Sequence, residues 1–387
     1  MRNYGKLDAR PGRYGVTENF WQGKRVLVTG HTGFKGGWLS ILLAEMGAEI
    51  TGYSLPPDGQ LSFFEVVGVG NRIANSVFAD INDRSALQEV IERHRPEVVF
   101  HLAAQALVRA SYADPVDTFA TNVVGVVNLL DAVRRAPSVQ GVIIVTSDKC
   151  YENMEWVWGY RETDALGGRD PYSASKGCAE IVTRSMRMSF FRPFVADGHP
   201  ARIASVRAGN VIGGGDWSKD RLVPDIVRGC LSVEGTVHLR NPTSVRPWQH
   251  VLDPLAAYVQ LAQLLVAGAD GADSEWNIGP DPSDNRAVVD VARAFVDKLG
   301  RGRIVSQGVA KGPHEATLLN LDCTKARTRL GWRSRLPFEE AIAYTVDWYA
   351  AWYAGADMLD ITSRQIGDFA GKSDSAERTP VGSSRPI

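Results

Sequence analysis

A short apolar run, Arg25-Val-Leu-Val-Thr29, passes straight into Gly30-His-Thr-Gly33-Phe-Lys-Gly36. The glycines then give way to a helical pattern with Trp38, Leu39, Leu42 and Leu43 on one face. Glycines three residues apart are common in loops, but between a buried strand and a helix they have a specific use. Gly30 permits a tight turn, Gly33 lets backbone approach a pyrophosphate, and Gly36 lets the helix pack against the sheet. Thr32, Phe34 and Lys35 complete the cradle, and the helix N-terminus faces the anion. A chain that begins its core this way is expected to build a sheet that holds a dinucleotide.

The rest of the first half agrees with that start. Further strands are expected at 47–53, 76–80, 98–102, 142–146 and 204–207, with long helices at 115–135 and 171–188. Asp114-Pro115 is a helix-start signal, because proline fits the first helical position. Strands alternating with helices imply a Rossmann-type α/β fold, a doubly wound parallel sheet. Beyond Ile212 the pattern loosens into tryptophans, prolines and glycines, which implies a smaller C-terminal substrate-binding lobe over the strand ends. The expected division is an arm at 1–22, a mainly dinucleotide-binding domain at 23–211, a mainly substrate-binding lobe at 212–366 with some chain crossing back, and a disordered polar tail at 367–387.

Charge and cysteine usage remove several classes of function. The formal net charge is −1, which argues against nucleic acid or an anionic membrane as the main partner. No run of about 18 consecutive apolar residues stands out as a membrane span. The cysteines Cys150, Cys178, Cys230 and Cys323 are scattered, without metal-ligand spacing. This reads as a reduced, cytoplasmic protein with no metal centre.

Asp80-Ile81 closes the third strand, where a carboxylate can meet an adenine amino group. Leu102, Ala103, Ala104 and Gln105 follow the fourth and leave room for a flat ligand. The end of the second strand departs from the usual pattern. An acidic residue there binds the ribose hydroxyls of NAD, but this chain reads Thr51-Gly-Tyr53-Ser54, with no arginine pair to claim a 2′-phosphate either. The residues at this point favour NAD over NADP only in part.

Tyr172-Ser-Ala-Ser-Lys176 places a phenol and an ammonium one helical turn apart on the same face. In isolation such a pair is most often a solvated helix face. Downstream of a dinucleotide cradle, with Ser147 ending a strand before it, it reads as a base for alcohol oxidation. The free phenol has a pKa of about 10, and a neighbouring cation favours the phenolate.

This architecture resembles the extended short-chain dehydrogenase/reductase family over roughly residues 23–350. Longer strings narrow the likeness: Gly30-His-Thr-Gly-Phe-Lys-Gly-Gly-Trp-Leu-Ser40, Thr146-Ser-Asp-Lys-Cys-Tyr-Glu152, Trp156-Val-Trp-Gly-Tyr-Arg161, Ala208-Gly-Asn-Val-Ile-Gly-Gly-Gly-Asp-Trp217, Arg246-Pro-Trp-Gln-His-Val251, Pro313-His-Glu-Ala316 and Leu321-Asp-Cys-Thr-Lys-Ala326. They resemble the CDP-glucose 4,6-dehydratase branch. The resemblance implies a lyase acting on CDP-glucose through enzyme-bound NAD: oxidation at C4, loss of water across C5 and C6, and return of the hydride to C6. It implies Tyr172 as base, Lys176 as its charge partner and Ser147 as a hydrogen bond to the C4 oxygen. Asp148 and Lys149 stand where the related dTDP-glucose dehydratases carry an Asp-Glu pair. Asp148 is the expected acid for the C6 hydroxyl, in its protonated form. Lys149 is the expected C5 base, in its neutral form, which burial beside Lys176 favours. The two roles can also be exchanged or shared.

For the substrate, Asn210 and Arg246 resemble the family's phosphate and nucleotide contacts, and arginine suits a pyrophosphate because its planar fork donates two hydrogen bonds. Trp217, Arg221 and His314 are weaker candidates. Arg109 and Asn122 are expected to line the site, Asn122 also to order a water. The base of the nucleotide is legible only through the resemblance. Helices 115–135 and 171–188 are the pair through which this family dimerises, which implies a homodimer or a tetramer, with Met186 and Met188 either at that interface or in the core. An epimerase on the same fold needs only the Ser, Tyr and Lys set, so Asp148-Lys149 directly after Ser147 favours dehydration. A non-catalytic dinucleotide sensor of this fold would have lost Tyr172 or Lys176.

Overall fold

The computed structural model describes residues 19–57, 59, 61–306 and 318–372. Seven parallel strands form one sheet, named here in chain order: β1 (Arg25–Thr29), β2 (Glu49–Ser54), β3 (Asn75–Phe78), β4 (Val98–His101), β5 (Gly141–Val145), β6 (Arg202–Ala208) and β7 (Glu275–Ile278). Their spatial order is β7-β6-β5-β4-β1-β2-β3. The strand order reverses between β1 and β4, and the crevice outside the strand ends at that point is where such sheets bind ligands.

The strands read as continuous apolar runs because both faces are covered. In β1, Val26 and Val28 face one core and Leu27 faces the other. In β4, Val98 and Phe100 separate from Val99 in the same way. Three long helices bear on the site: α1 (Phe34–Glu45), α2 (Pro115–Val133) and α3 (Pro171–Phe190). Helix α1 is buried nearly all round from Gly36 to Leu43 and shows little amphipathic pattern, because the sheet lies on one side and the C-terminal half of the chain on the other.

Helix α2 is long and apolar enough to cross a membrane by length and composition, although no such segment was expected. About half of it is buried, against α3 and the helix Arg84–His94, and it hides the polar side chains of Asn122 and Asn128. It opens on Asp114, which caps the Asp117 amide, and on Pro115 at its first position. A π-turn at Ala120–Val124 interrupts it, and it ends at Val133 rather than at Arg135.

Several boundaries differ from expectation. Strand β7 lies in the region whose pattern had loosened; four residues buried on both faces carry no periodic signal. With the helix Leu252–Val266, it returns the C-terminal half of the chain to the large sheet. Of the expected arm at 1–22, residues 1–18 lie outside the described residues, and Trp21 is buried beside Phe100. The expected tail begins inside the helix Met358–Ala370, where Ile366, Phe369 and Ala370 pack into the core. Residues 373–387 lie outside the described residues.

An aromatic seam joins the two halves of the chain. Trp38 of α1 donates its indole N–H to the carbonyl of Gly214 at 2.9 Å. The Phe63 ring stacks on Trp38 and also on Trp348, with centroids 5.1 and 6.1 Å apart. One buried cluster runs from the β1 face through these rings to Ile226 and Val237.

Candidate active site

The glycine cradle has no spare space. Gly30 has φ +76°, and a Cβ there would lie 2.7 Å from the Ala103 nitrogen. A Cβ on Gly36 would lie 2.0 Å from the Gly30 carbonyl oxygen. Helix α1 begins on Gly33 with no side-chain cap, so its first turn faces the crevice without a capping oxygen from its own chain. A loop this tight, aimed at a helix N-terminus, fits a dinucleotide pyrophosphate. Where β2 ends, Thr32 and Ser54 share a hydrogen bond of 2.8 Å between their hydroxyls. Residue His31, whose importance the sequence did not reveal, is fully buried against Ser76, Phe64 and Phe78. Burial pushes its pKa down to about 4, leaving the ring neutral. Gly52 is small because a Cβ there would meet that ring at 2.3 Å.

Around the cradle, several expected contacts are engaged in holding the protein. One oxygen of Asp80 accepts from the Asn82 amide at 2.9 Å, closing the turn that leads to the buried Ile81. Asn122, expected to order a water, gives its amide group to the backbone of Gln105 and to the Ser175 hydroxyl. It ties the segment after β4 (Leu102, Ala103, Ala104, Gln105) to α3 through the π-turn of α2. π-Turns often mark functional segments.

The catalytic candidates converge at the ends of β5 and β6. Ser147 follows β5 and caps a single 3₁₀ turn, Asp148–Cys150. Its hydroxyl lies 2.9 Å from Asp148 Oδ1 and also hydrogen-bonds Tyr172, so one proton serves both partners. Asp148 is buried, and its Oδ2 has no hydrogen-bond partner among the described residues. Helix α3 starts on Asp170, which caps the Ser173 amide, with Pro171 at the first position; this sets Tyr172 at the mouth of the helix. A cavity of about 650 Å³ is lined by Ser147, Asp148, Lys149 and Tyr172 together with Arg109, Asn210, Arg221 and Arg246.

Lys35, expected only as part of the cradle, lines the same cavity. Burial lowers its pKa to about 8, with Arg221 and Lys176 adding to the effect and Asp148 and Asp216 opposing it. Trp217 does not line the cavity; it packs on Tyr349 and Trp352 as an aromatic bracket. Arg221 pairs with Asp216 at 3.1 Å, and Arg109 with Asp220 at 3.4 Å. His314 lies outside the described residues.

Lys176 stands behind Tyr172, buried, with Nζ 3.5 Å from the Val145 carbonyl oxygen. Burial lowers its pKa to about 8, against the pull of Glu180 and Cys150. The Tyr172 hydroxyl is pushed above its ordinary value by burial, and the Ser147 hydrogen bond and the Arg221 charge draw it back. Arg221 therefore acts on Tyr172 in the way that was expected of the Lys176 ammonium. The spacing that had been overlooked is one turn further along α3, at Glu180.

The family model for GDP-mannose 4,6-dehydratase matches residues 27–345. A CDP-glucose 4,6-dehydratase of Salmonella typhimurium is 48% identical over 354 residues, covering 92% of this chain and 98% of that one. A dTDP-glucose 4,6-dehydratase of the same organism is 26% identical, covering 84% and 93%. Among solved structures, a UDP-glucose 4-epimerase of Thermotoga maritima with UDP-glucose superimposes with a TM-score of 0.73 at 25% identity, covering 85% of this chain and 99% of that one. A dTDP-glucose 4,6-dehydratase of Bacillus anthracis in complex with NAD gives a TM-score of 0.70 at 21% identity, covering 87% and 99%.

Proposed function

The chain belongs to the GDP-mannose 4,6-dehydratase family, and from that premise we propose that it converts CDP-glucose to CDP-4-dehydro-6-deoxyglucose and water, with NAD as cofactor. The observation that carries the reading is a single cavity with three kinds of group in its wall: a tyrosine base, a serine bonded to it, and an acid–lysine pair beside them. The near relative of 48% identity, matched over almost its whole length, supports the choice of sugar nucleotide.

The cradle of Gly30, Gly33 and Gly36 would hold NAD, which when bound would supply reversible hydride transfer from and to the sugar. Tyr172 takes the C4 hydroxyl proton. Ser147, bonded to Tyr172, orients the C4 oxygen. Once C4 is a ketone, the proton on C5 is acidic. Lys149 is the base that removes it, and Asp148 is the acid that delivers a proton to the C6 hydroxyl as water leaves. Asp148 Oδ1 is engaged by Ser147, so Oδ2, without a partner, is the oxygen available to carry that proton. A proton returned to C5 completes the 4-keto-6-deoxy sugar. Arg246 and Arg221 in the cavity wall match the charge of a diphosphate, and Asn210 is a neutral polar contact beside them.

The exposed apolar side chains of α2 and α3 (Val124 and Val127 on the first, Ile181 and Met188 on the second) support a homodimer through these two helices. Met186 packs against the core instead. No arginine stands between Thr51 and Ser54 to claim a 2′-phosphate, which supports NAD as the favoured dinucleotide although the usual ribose-binding carboxylate is missing there too.

The test is incubation with CDP-, dTDP-, UDP- and GDP-linked hexoses and NAD, followed by mass spectrometry. Loss of one water from CDP-glucose without net NADH is expected. Dehydration of another nucleotide sugar instead would overturn the substrate. Isomerisation without loss of water would remove Asp148 and Lys149 from their roles.

A further inference from the structure

Helix α3 carries three ionisable side chains at successive turns on one buried face: Tyr172, Lys176 and Glu180. The first two belong to the proposed chemistry. The third lies deeper, is 2% exposed, and is held from several directions. Arg207 of β6 donates to its Oε2 at 2.7 Å, Ser205 of the same strand donates to Oε2 at 2.8 Å, and Thr146 after β5 donates to Oε1. Arg207 is itself 2% exposed and is fixed by the Tyr151 hydroxyl at 2.7 Å and the Glu162 carbonyl at 3.1 Å. An ion pair so deep contributes little net stability, because desolvation of both partners offsets their attraction. It also lies one helical turn from an amine that the fold has taken out of water.

We infer that Glu180 is a positioning residue that keeps Lys176 in its ammonium form. The groups that face Lys176 can be taken element by element. On its own helix they are Tyr172, across the turn above, and Glu180 below. The turn after β5 contributes Cys150, buried and held as a thiol, with Asp148 beside it. From β4 comes His101, neutral because burial and the Lys176 charge push its pKa down to about 3. From α1 comes Lys35, a second cation. From β6 comes Arg207, which cannot give up its proton. Glu180 is the buried carboxylate that counters the desolvation of Lys176. Arg207, Ser205 and Thr146 fix the direction of that carboxylate by donating to both its oxygens. Without the Glu180 charge, no carboxylate one turn along that buried face offsets the desolvation of the Lys176 amine.

This rests on the proposed chemistry, so the unaltered protein is the control. Single-turnover oxidation of CDP-glucose by the NAD-loaded protein is followed at 340 nm across pH. If the unaltered protein forms no reduced cofactor, the proposed function fails and not this inference. In Glu180→Gln, the alkaline limb, where Lys176 loses its proton, is expected to move to lower pH by about one unit or more. A purely structural role would lower the rate at every pH and leave that midpoint in place. Because Glu180→Gln leaves Arg207 buried and unpaired, the double variant Glu180→Gln/Arg207→Gln is measured alongside it with folding checked by circular dichroism; it removes a cation as well as the carboxylate, so its midpoint is expected to move in the same direction by less. Glu180→Asp, which keeps the charge, is expected to restore most of the midpoint. A folded neutral variant with the wild-type midpoint, or an Asp variant displaced as far as the Gln variant, overturns the inference.

Discussion

Tyr172 and Lys149 divide the proposed reaction between them, and their loss is expected to look different. Tyr172→Phe removes the proton acceptor for the first step. The single-turnover rate of oxidation should fall by about 10²–10⁴-fold, the usual contribution of a general base. Oxidation at near wild-type rate in that variant would remove Tyr172 from the role. Lys149→Ala should leave oxidation in place and halt the reaction there. Mass spectrometry would then find a 4-keto sugar nucleotide still carrying its C6 oxygen, and normal 6-deoxy product would exclude Lys149 as the C5 base. At this scale the sequence was most legible where residues act as neighbours in the chain: Ser147, Asp148 and Lys149 are consecutive, and Tyr172 and Lys176 share a turn. It was least legible where contacts cross the sheet. Arg207 meets Glu180 from another strand, and Arg221 reaches Tyr172 from a distant loop. Trp217 illustrates the converse, since an indole beside a glycine run looks like a ligand contact until Tyr349 and Trp352 are seen around it.

At the level of elements, the junction of β1 and α1 allows the least variation. Gly36→Ala would drive a methyl group into the Gly30 carbonyl, 2.0 Å from the Cβ position. The expected result is loss of bound NAD, read by releasing nucleotide from the purified protein and quantifying it, with a folded circular dichroism spectrum retained. An alanine variant that keeps stoichiometric cofactor would show that the cradle adjusts. The π-turn of α2 is a second case. Asn122→Ala strips the side-chain partners from the part-buried Gln105 backbone and one of two hydrogen bonds from the Ser175 hydroxyl, a buried polar group left unsatisfied costing about 1–3 kcal/mol. A lower melting temperature is expected together with weaker cofactor retention. Element type was readable because buried parallel strands are apolar runs and the helices have caps. The π-turn was not, since it depends on how α2 seats against α3 and not on local propensity. Strand β7 was missed for a related reason: its pairing with β6 is fixed by the returning chain, which four residues of sequence do not encode.

Across the whole molecule, two surfaces matter, one exposed and one hidden. Ile181 is 57% exposed in the middle of α3 and shares its helix with the exposed Met188, which supports the proposed dimer through this helix. Ile181→Glu is expected to convert a dimer to a monomer in sedimentation velocity while leaving the cavity residues in place. An unchanged sedimentation coefficient would exclude that face as the interface. The hidden surface is the seam of Trp38, Phe63 and Trp348, where one buried cluster continues from the large sheet into the C-terminal half of the chain. Two halves that share a core cannot lose it separately. Heating should therefore give one calorimetric transition, with the van't Hoff and calorimetric enthalpies in agreement. Neither half expressed alone should show a cooperative melt. What the chain divides by chemistry, it unfolds as a single thermodynamic unit.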